Sequence, residues 1–242
     1  YDVIHMADHL YTTAPFPMMT AMAMATEKLR VGTFVLNAGF YRPALLARDV
    51  TSLRDLSGGR FDLGLGTGYV KEEFEQAELP YPTAGERVAW LRHVTEHMNE
   101  HASDVPILIA GNGDKLLTLA AQRADIVGLT GGAPKSVDSD PLANRIAFIR
   151  EAAGDRFDEL ELNLSVIALP TDNSGIPDLS LVRRFLPDLS EEEMLATPAV
   201  FSGTPKDIAE TIRHYRDTYG VTYITVQQQH GEEFAKVIAE LR

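Results

Sequence analysis

Residues 30–68 read RVGTFVLNAGFYRPALLARDVTSLRDLSGGRFDLGLGTG. The run Arg30–Leu36 has the length of a strand, and Val31–Leu36 is apolar on both faces. Pro43–Ser57 follows with Leu46, Val50 and Leu53 at helical spacing, Pro43 in the first turn and Gly58-Gly59 as a stop. Arg60–Gly66 reads as a second strand. A doubly apolar strand, an amphipathic helix and another strand make a parallel β-α-β unit, buried on both sides.

The same alternation continues outward. Strands are expected at Asp2–Met6, Pro106–Ala110, Ala124–Leu129, Glu161–Leu169 and Val221–Val226. Helices are expected at Asp114–Gln122, at Pro141–Ala153 between an Asp140 cap and a Gly154 stop, from Thr204 to Gly220, and through Phe234, Ile238 and Leu241. A closed (β/α)8 TIM barrel has one strand more than these seven. The expectation is therefore an α/β chain forming a single barrel domain over 1–242, its first strand lying before Tyr1; an open doubly wound sheet is the rival. Two stretches read as excursions from the alternation. Residues 131–140 are rich in Gly, Pro and Ser, and residues 171–198 are polar and helical, with Ser190 and Glu193 placed as a capping box.

The chain has 242 residues, with 22 Lys+Arg against 35 Asp+Glu and a formal charge of −13. That balance argues against nucleic-acid and anionic-membrane partners, which call for a basic patch. No apolar run approaches the roughly 18 residues needed to cross a bilayer. The sequence has no cysteine, so disulfides, thiol nucleophiles and Cys-based zinc sites are excluded. These features point to a soluble cytoplasmic protein.

In parallel barrels chemistry sits where the strands end. The first strand leads into Ala7-Asp8-His9-Leu10, a carboxylate and an imidazole that can serve an acid/base role, or cap a turn and fill a core. The next tips carry Phe34, Val35 and Asn37, then Thr67, Gly68 and Tyr69. Ala110-Gly111-Asn112-Gly113 runs straight into a helix, as a phosphate cradle or a tight turn would. Gly64 and Gly66 begin a dinucleotide fingerprint that fails at Tyr69. His93-Val94-Thr95-Glu96-His97 spells a zinc-peptidase motif, but both histidines flank the apolar stripe on its outer side, so no metal site is assigned. Met18, Met19, Met22 and Met24 read as core and near-core filling. Asn163-Leu164-Ser165 spells a glycosylation acceptor inside an expected strand.

Together, Val31–Asn37, Arg42–Arg48, Leu56-Ser57-Gly58-Gly59-Arg60 with Gly64-Leu65-Gly66-Thr67-Gly68, Ala110–Gly113 and Ser202-Gly203-Thr204-Pro205 resemble the bacterial luciferase-like superfamily, especially its branch using the deazaflavin coenzyme F-420. The resemblance implies a (β/α)8 barrel, usually a homodimer, that holds F-420 or FMN and acts on a small organic substrate. It implies a cis peptide at Phe34–Val35 beneath the coenzyme ring. It places His9 near the reacting carbon with Asp8 helping to orient it, Thr67 and Gly68 along the ring or ribityl chain, and Ala110, Gly111, Asn112 and Gly113 on the phosphate. Phe34, Val35, Asn37 and Tyr69 complete the coenzyme set. The sugar-phosphate dehydrogenases of that branch carry Glu where this chain has Tyr69 and Trp where it has Thr13, which argues against glucose 6-phosphate. The anionic tail of F-420 would need a basic rim, for which Arg42, Lys71, Lys115 and Lys135 are candidates. The rival functions are an FMN-dependent monooxygenase served by a separate reductase, and a non-catalytic coenzyme-binding protein.

Overall fold

A computed structural model describes residues 1–130 and 140–242 of the chain. Its packing separates two compact units, Tyr1–Val127 and Gly128–Arg242. The first contains β1 (Val3–Met6), α1 (Pro15–Ala25), β2 (Arg30–Thr33), β3 (Leu36–Asn37), α2 (Pro43–Ser57), β4 (Phe61–Gly66), α3 (Lys71–Gln76), α4 (Ala84–His101), β5 (Ile107–Ala110) and α5 (Asp114–Arg123). β6 (Ile126–Leu129) crosses the chain boundary between the units. The second contains α6 (Pro141–Ala153), β7 (Glu161–Ser165), α7 (Ser180–Phe185), α8 (Glu191–Leu195), α9 (Pro205–Tyr219), β8 (Val221–Thr225) and α10 (Gly231–Leu241).

In the first unit β1 pairs with β2, β2 and β3 with β4, and β4 with β5, all in parallel. Residues of this sheet, among them Val31, Phe61, Leu63, Leu65, Ile107 and Ile109, are almost wholly buried. α2 turns Leu46, Ala47, Val50 and Leu53 inward, as its spacing predicts.

The Leu-Ser-Gly-Gly-Arg turn has a physical explanation. Gly58 adopts the left-handed conformation that closes α2, and its N–H reaches the carbonyls of Arg54 and Asp55. Arg60 then directs its guanidinium back to the end of α1. It donates to the carbonyls of Ala23 at 2.8 Å, Thr26 at 3.0 Å and Leu29 at 2.6 Å, and to Thr26 Oγ1 at 3.2 Å. The motif thus ties α1, the loop after it and the start of β4 together.

Two expected strands are corrected. Arg30–Leu36 is not continuous: a cis peptide joins Phe34 to Val35, so β2 ends at Thr33 and β3 starts at Leu36. The bond lies where the resemblance puts it. Glu161–Leu169 stops as a strand at Ser165, and Ala168 instead bridges Val200.

The second unit is built on β7 and β8, paired in parallel with an irregularity between Leu162 and Asn163. The 171–198 excursion has its own small core, in which Ala168, Val182, Met194 and Val200 collect Ile167, Leu179, Leu186 and Leu189. Ser190 and Glu193 form the expected capping box of α8. Asp140 caps α6 by accepting from the Ala143 N–H at 2.8 Å. Of the 131–140 excursion, residues 131–139, including the candidate Lys135, lie outside the described residues. Among the described residues no helix is long and apolar enough to cross a membrane.

Candidate functional site

Parallel pairing places the carboxyl ends of the strands at one edge. The register sets Met6 beside Thr33, Asn37 beside Gly66, and Leu65 beside Ile109. Ala7–Leu10, Phe34–Asn37, Thr67–Tyr69 and Ala110–Gly113 therefore leave that edge as neighbouring segments. All belong to the first unit.

At the β1 tip the His9 side chain is about 22% exposed, and its Nδ1 lies 2.9 Å from Oε1 of Glu73 on α3. Tyr11 stacks on the His9 ring at 4.9 Å between centroids, and Tyr69 meets it edge-on at 6.3 Å. Both tyrosines are mostly exposed, at 78% and 65%.

Asp8 is not the carboxylate that holds His9, contrary to the sequence reading. Its Oδ2 accepts the backbone N–H of Asn37 at 3.0 Å, and it also hydrogen-bonds the Tyr41 side chain. Burial pushes the Asp8 carboxyl up, opposed by those two hydrogen bonds. Burial, followed by the Asp8 charge, pushes the Tyr41 phenol above its ordinary range.

Glu73 went unrecognised in the sequence because it sits among Glu72, Glu75 and Glu78, where an acidic run reads as a solvated face. The inward side of α3 is formed by Glu73 and Phe74.

Asn37 and Gly68 are packed together. Asn37 Oδ1 accepts the Gly39 N–H at 3.0 Å, and a Cβ on Gly68 would stand 2.2 Å from the same oxygen. Gly68 also has φ +68°, a second reason for glycine. One step back, a Cβ on Gly66 would meet Val35 Cγ2 at 2.5 Å. These absent side chains let the two segments close on one another.

The β5 tip runs into α5 through Gly113, its N-cap, with no side-chain cap on the helix. Asn112, Gly113, Asp114 and Lys115 are exposed, the Leu116 N–H already bonds the Gly113 carbonyl at 2.9 Å, and Asp114 puts a carboxylate in the first turn. Gly111 has a packing role too, since its Cβ would stand 2.8 Å from Leu116 Cδ2. Of the candidate basic rim, Arg42 lies over the Trp90 ring at 5.5 Å, Lys71 pairs with Glu75 at 3.0 Å, and Lys115 is exposed.

His93 and His97 stay on the outer face of α4, whose buried side is Leu91, Val94, Thr95 and Met98. His93 lies against Trp90 and His97 stacks on His101 at 4.0 Å. Among the described residues no group of three or more potential ligands forms a metal site. Asn163 is fully buried and donates to the Tyr223 carbonyl and to Thr225 Oγ1, so the glycosylation spelling falls on a core residue. Met19 is buried, Met18 and Met22 are partly so, and Met24 is exposed.

The family model of the luciferase-like monooxygenases matches residues 1–175. The chain belongs to that family. It is 31% identical to the 5,10-methylenetetrahydromethanopterin reductase of Methanolobus tindarius over 64% of this chain and 52% of that one. It is 26% identical to the F-420-dependent glucose-6-phosphate dehydrogenase of Nakamurella multipartita over 90% of this chain and 79% of the other. The chain spans about half the length of the methanopterin reductases it matches. Among solved structures, an F-420-dependent secondary alcohol dehydrogenase in complex with an F-420–acetone adduct superposes with a TM-score of 0.76 at 16% identity, covering 100% of this chain and 91% of that one. At that identity the likeness is one of fold: the parallel α/β alternation is that of a (β/α)8 barrel, in the part that these strands cover.

Proposed function

We propose that this luciferase-like chain is an oxidoreductase that holds coenzyme F-420 across the four strand tips and moves a hydride to or from a small organic substrate. The observation that carries this reading is the convergence of His9, the Asn37–Gly68 pair and the uncapped start of α5 along one sheet edge. The donor set suits such a coenzyme. The half-buried Thr67–Gly68 backbone at the β4 tip suits a flat ring, and the exposed Gly113 at the start of α5 suits its phosphate. When bound, the deazaflavin supplies a two-electron hydride donor or acceptor. In substrate oxidation His9 accepts the leaving proton at Nε2, the ring nitrogen that Glu73 does not contact, and in reduction the resulting imidazolium returns it. Asn37, held by Asp8, and Gly68 define the wall beside it.

The rim favours an uncharged substrate. Leu10, Tyr11 and Tyr69 are exposed around His9, and Glu73 lies buried against it. A phosphorylated substrate would meet aromatic surface and negative charge there. Homodimer formation, which the sequence resemblance implies, is part of the same proposal.

The family match also supports FMN with a partner reductase and O₂. The test is anaerobic reoxidation of reduced F-420 by a panel of small carbonyl and imine acceptors. Consumption without O₂, lost in His9→Ala, is the expected result. Oxygenation of an organic substrate by reduced FMN and O₂, with F-420 inert, would contradict it. No turnover of either coenzyme, with binding intact, would favour the non-catalytic reading.

A further inference from the structure

We infer that Glu73 is the positioning residue of this site: it receives the Nδ1–H of His9 and so fixes the imidazole in the tautomer whose Nε2 carries no proton. The role assigned to that Nε2 rests on the function proposed above, but the pairing itself does not.

A carboxylate can only accept, so a 2.9 Å contact to Nδ1 requires the proton to be on that nitrogen. The Glu73 side chain is about 7% exposed. Burying a carboxylate is costly unless it is paired and hydrogen-bonded. α3 has other acidic residues, Glu72 and Glu75, which stay in solvent, so acidity alone does not draw Glu73 inward. Its side-chain partner is His9. Asp8, adjacent in sequence, is committed to Asn37 and Tyr41. The other titratable groups facing His9 are Tyr11 and Asp8 on its own segment and Tyr69 on the segment between β4 and α3. The tyrosines clamp the ring through their faces and edges, whereas Glu73 alone sets which nitrogen is protonated. This is the arrangement by which a carboxylate orients a histidine and selects its tautomer.

The test is a long-range nitrogen–proton correlation spectrum of the imidazoles in isotope-labelled protein, recorded without coenzyme above the imidazole titration. His9→Gln identifies the His9 signal among the seven histidines. The expected pattern is a protonated Nδ1 and a bare Nε2. Glu73→Leu should return His9 toward the Nε2-protonated form that free imidazole side chains favour. A wild-type His9 protonated on Nε2 overturns the proposal, as does an unchanged His9 pattern in a folded Glu73→Leu protein. If that variant does not fold, the wild-type spectrum still decides. Because no coenzyme is present, failure of F-420 chemistry and failure of the Glu73 pairing are read separately.

Discussion

Asp8 Oδ2 accepts the backbone N–H of Asn37 at 3.0 Å and so joins the end of β1 to the end of β3. The bond secures the residue that packs on Gly68, the pair proposed above as a wall of the coenzyme site. Asp8→Ala is expected to lose about 1–3 kcal/mol in urea denaturation, since it strands a part-buried N–H. Asp8→Asn, which keeps an acceptor for Asn37, should lose less and leave the His9 tautomer as it is in the wild type. A changed tautomer in Asp8→Asn would restore Asp8 as the orienting group.

Gly68→Ala places a methyl group on Asn37 and forces an L residue into a left-handed conformation. A cost of about 1–3 kcal/mol is expected. F-420 affinity should fall at least tenfold, read by fluorescence titration of the folded variant. Unchanged affinity would remove the Asn37–Gly68 wall from the binding site.

Arg60→Lys should separate stability from binding. Lysine cannot reproduce the planar fork that reaches Ala23, Thr26 and Leu29. A loss of about 1–2 kcal/mol is expected for these part-buried bonds, with F-420 affinity within twofold of wild type. Denaturation midpoints and a binding titration check both halves.

His5 supplies a pH dependence. Burial, and secondarily Arg30, holds its imidazole down at about 4 against an ordinary 6.5. Between those values the unfolded chain binds a proton that the folded chain does not, so stability rises with pH across the window and is lost as pH falls from about 6.5 to about 4. The loss attributable to this group is on the order of 3 kcal/mol. Urea melts of the wild type and His5→Gln across that range should show a shallower acid-side loss in the variant. Equal slopes would contradict this account of His5.

The sequence was most legible where a periodic pattern met a turn residue. Leu46, Val50 and Leu53, stopped by Gly58, gave α2 its boundaries because spacing and the left-handed cap are both local. The segments at the sheet edge were legible for the same reason: glycines and polar residues closed each apolar run. The break at Phe34–Val35 came from the family resemblance, since no local propensity announces it. The Glu73–His9 pair was not legible, because it joins residues 64 positions apart and one member hides in an acidic run. The end of β7 at Ser165 was missed because Val166, Ala168 and Leu169 stay buried beyond it, and apolarity alone does not separate a strand from a buried bend.

The most direct test is an equilibrium titration of the protein into F-420, followed by quenching and polarisation of the coenzyme fluorescence, with FMN run alongside. The account predicts saturable binding of F-420 at micromolar protein, retained within a few-fold in His9→Ala and weakened at least tenfold in Gly68→Ala. F-420 fluorescence that stays at its free value throughout, while FMN binds or neither coenzyme does, would contradict it.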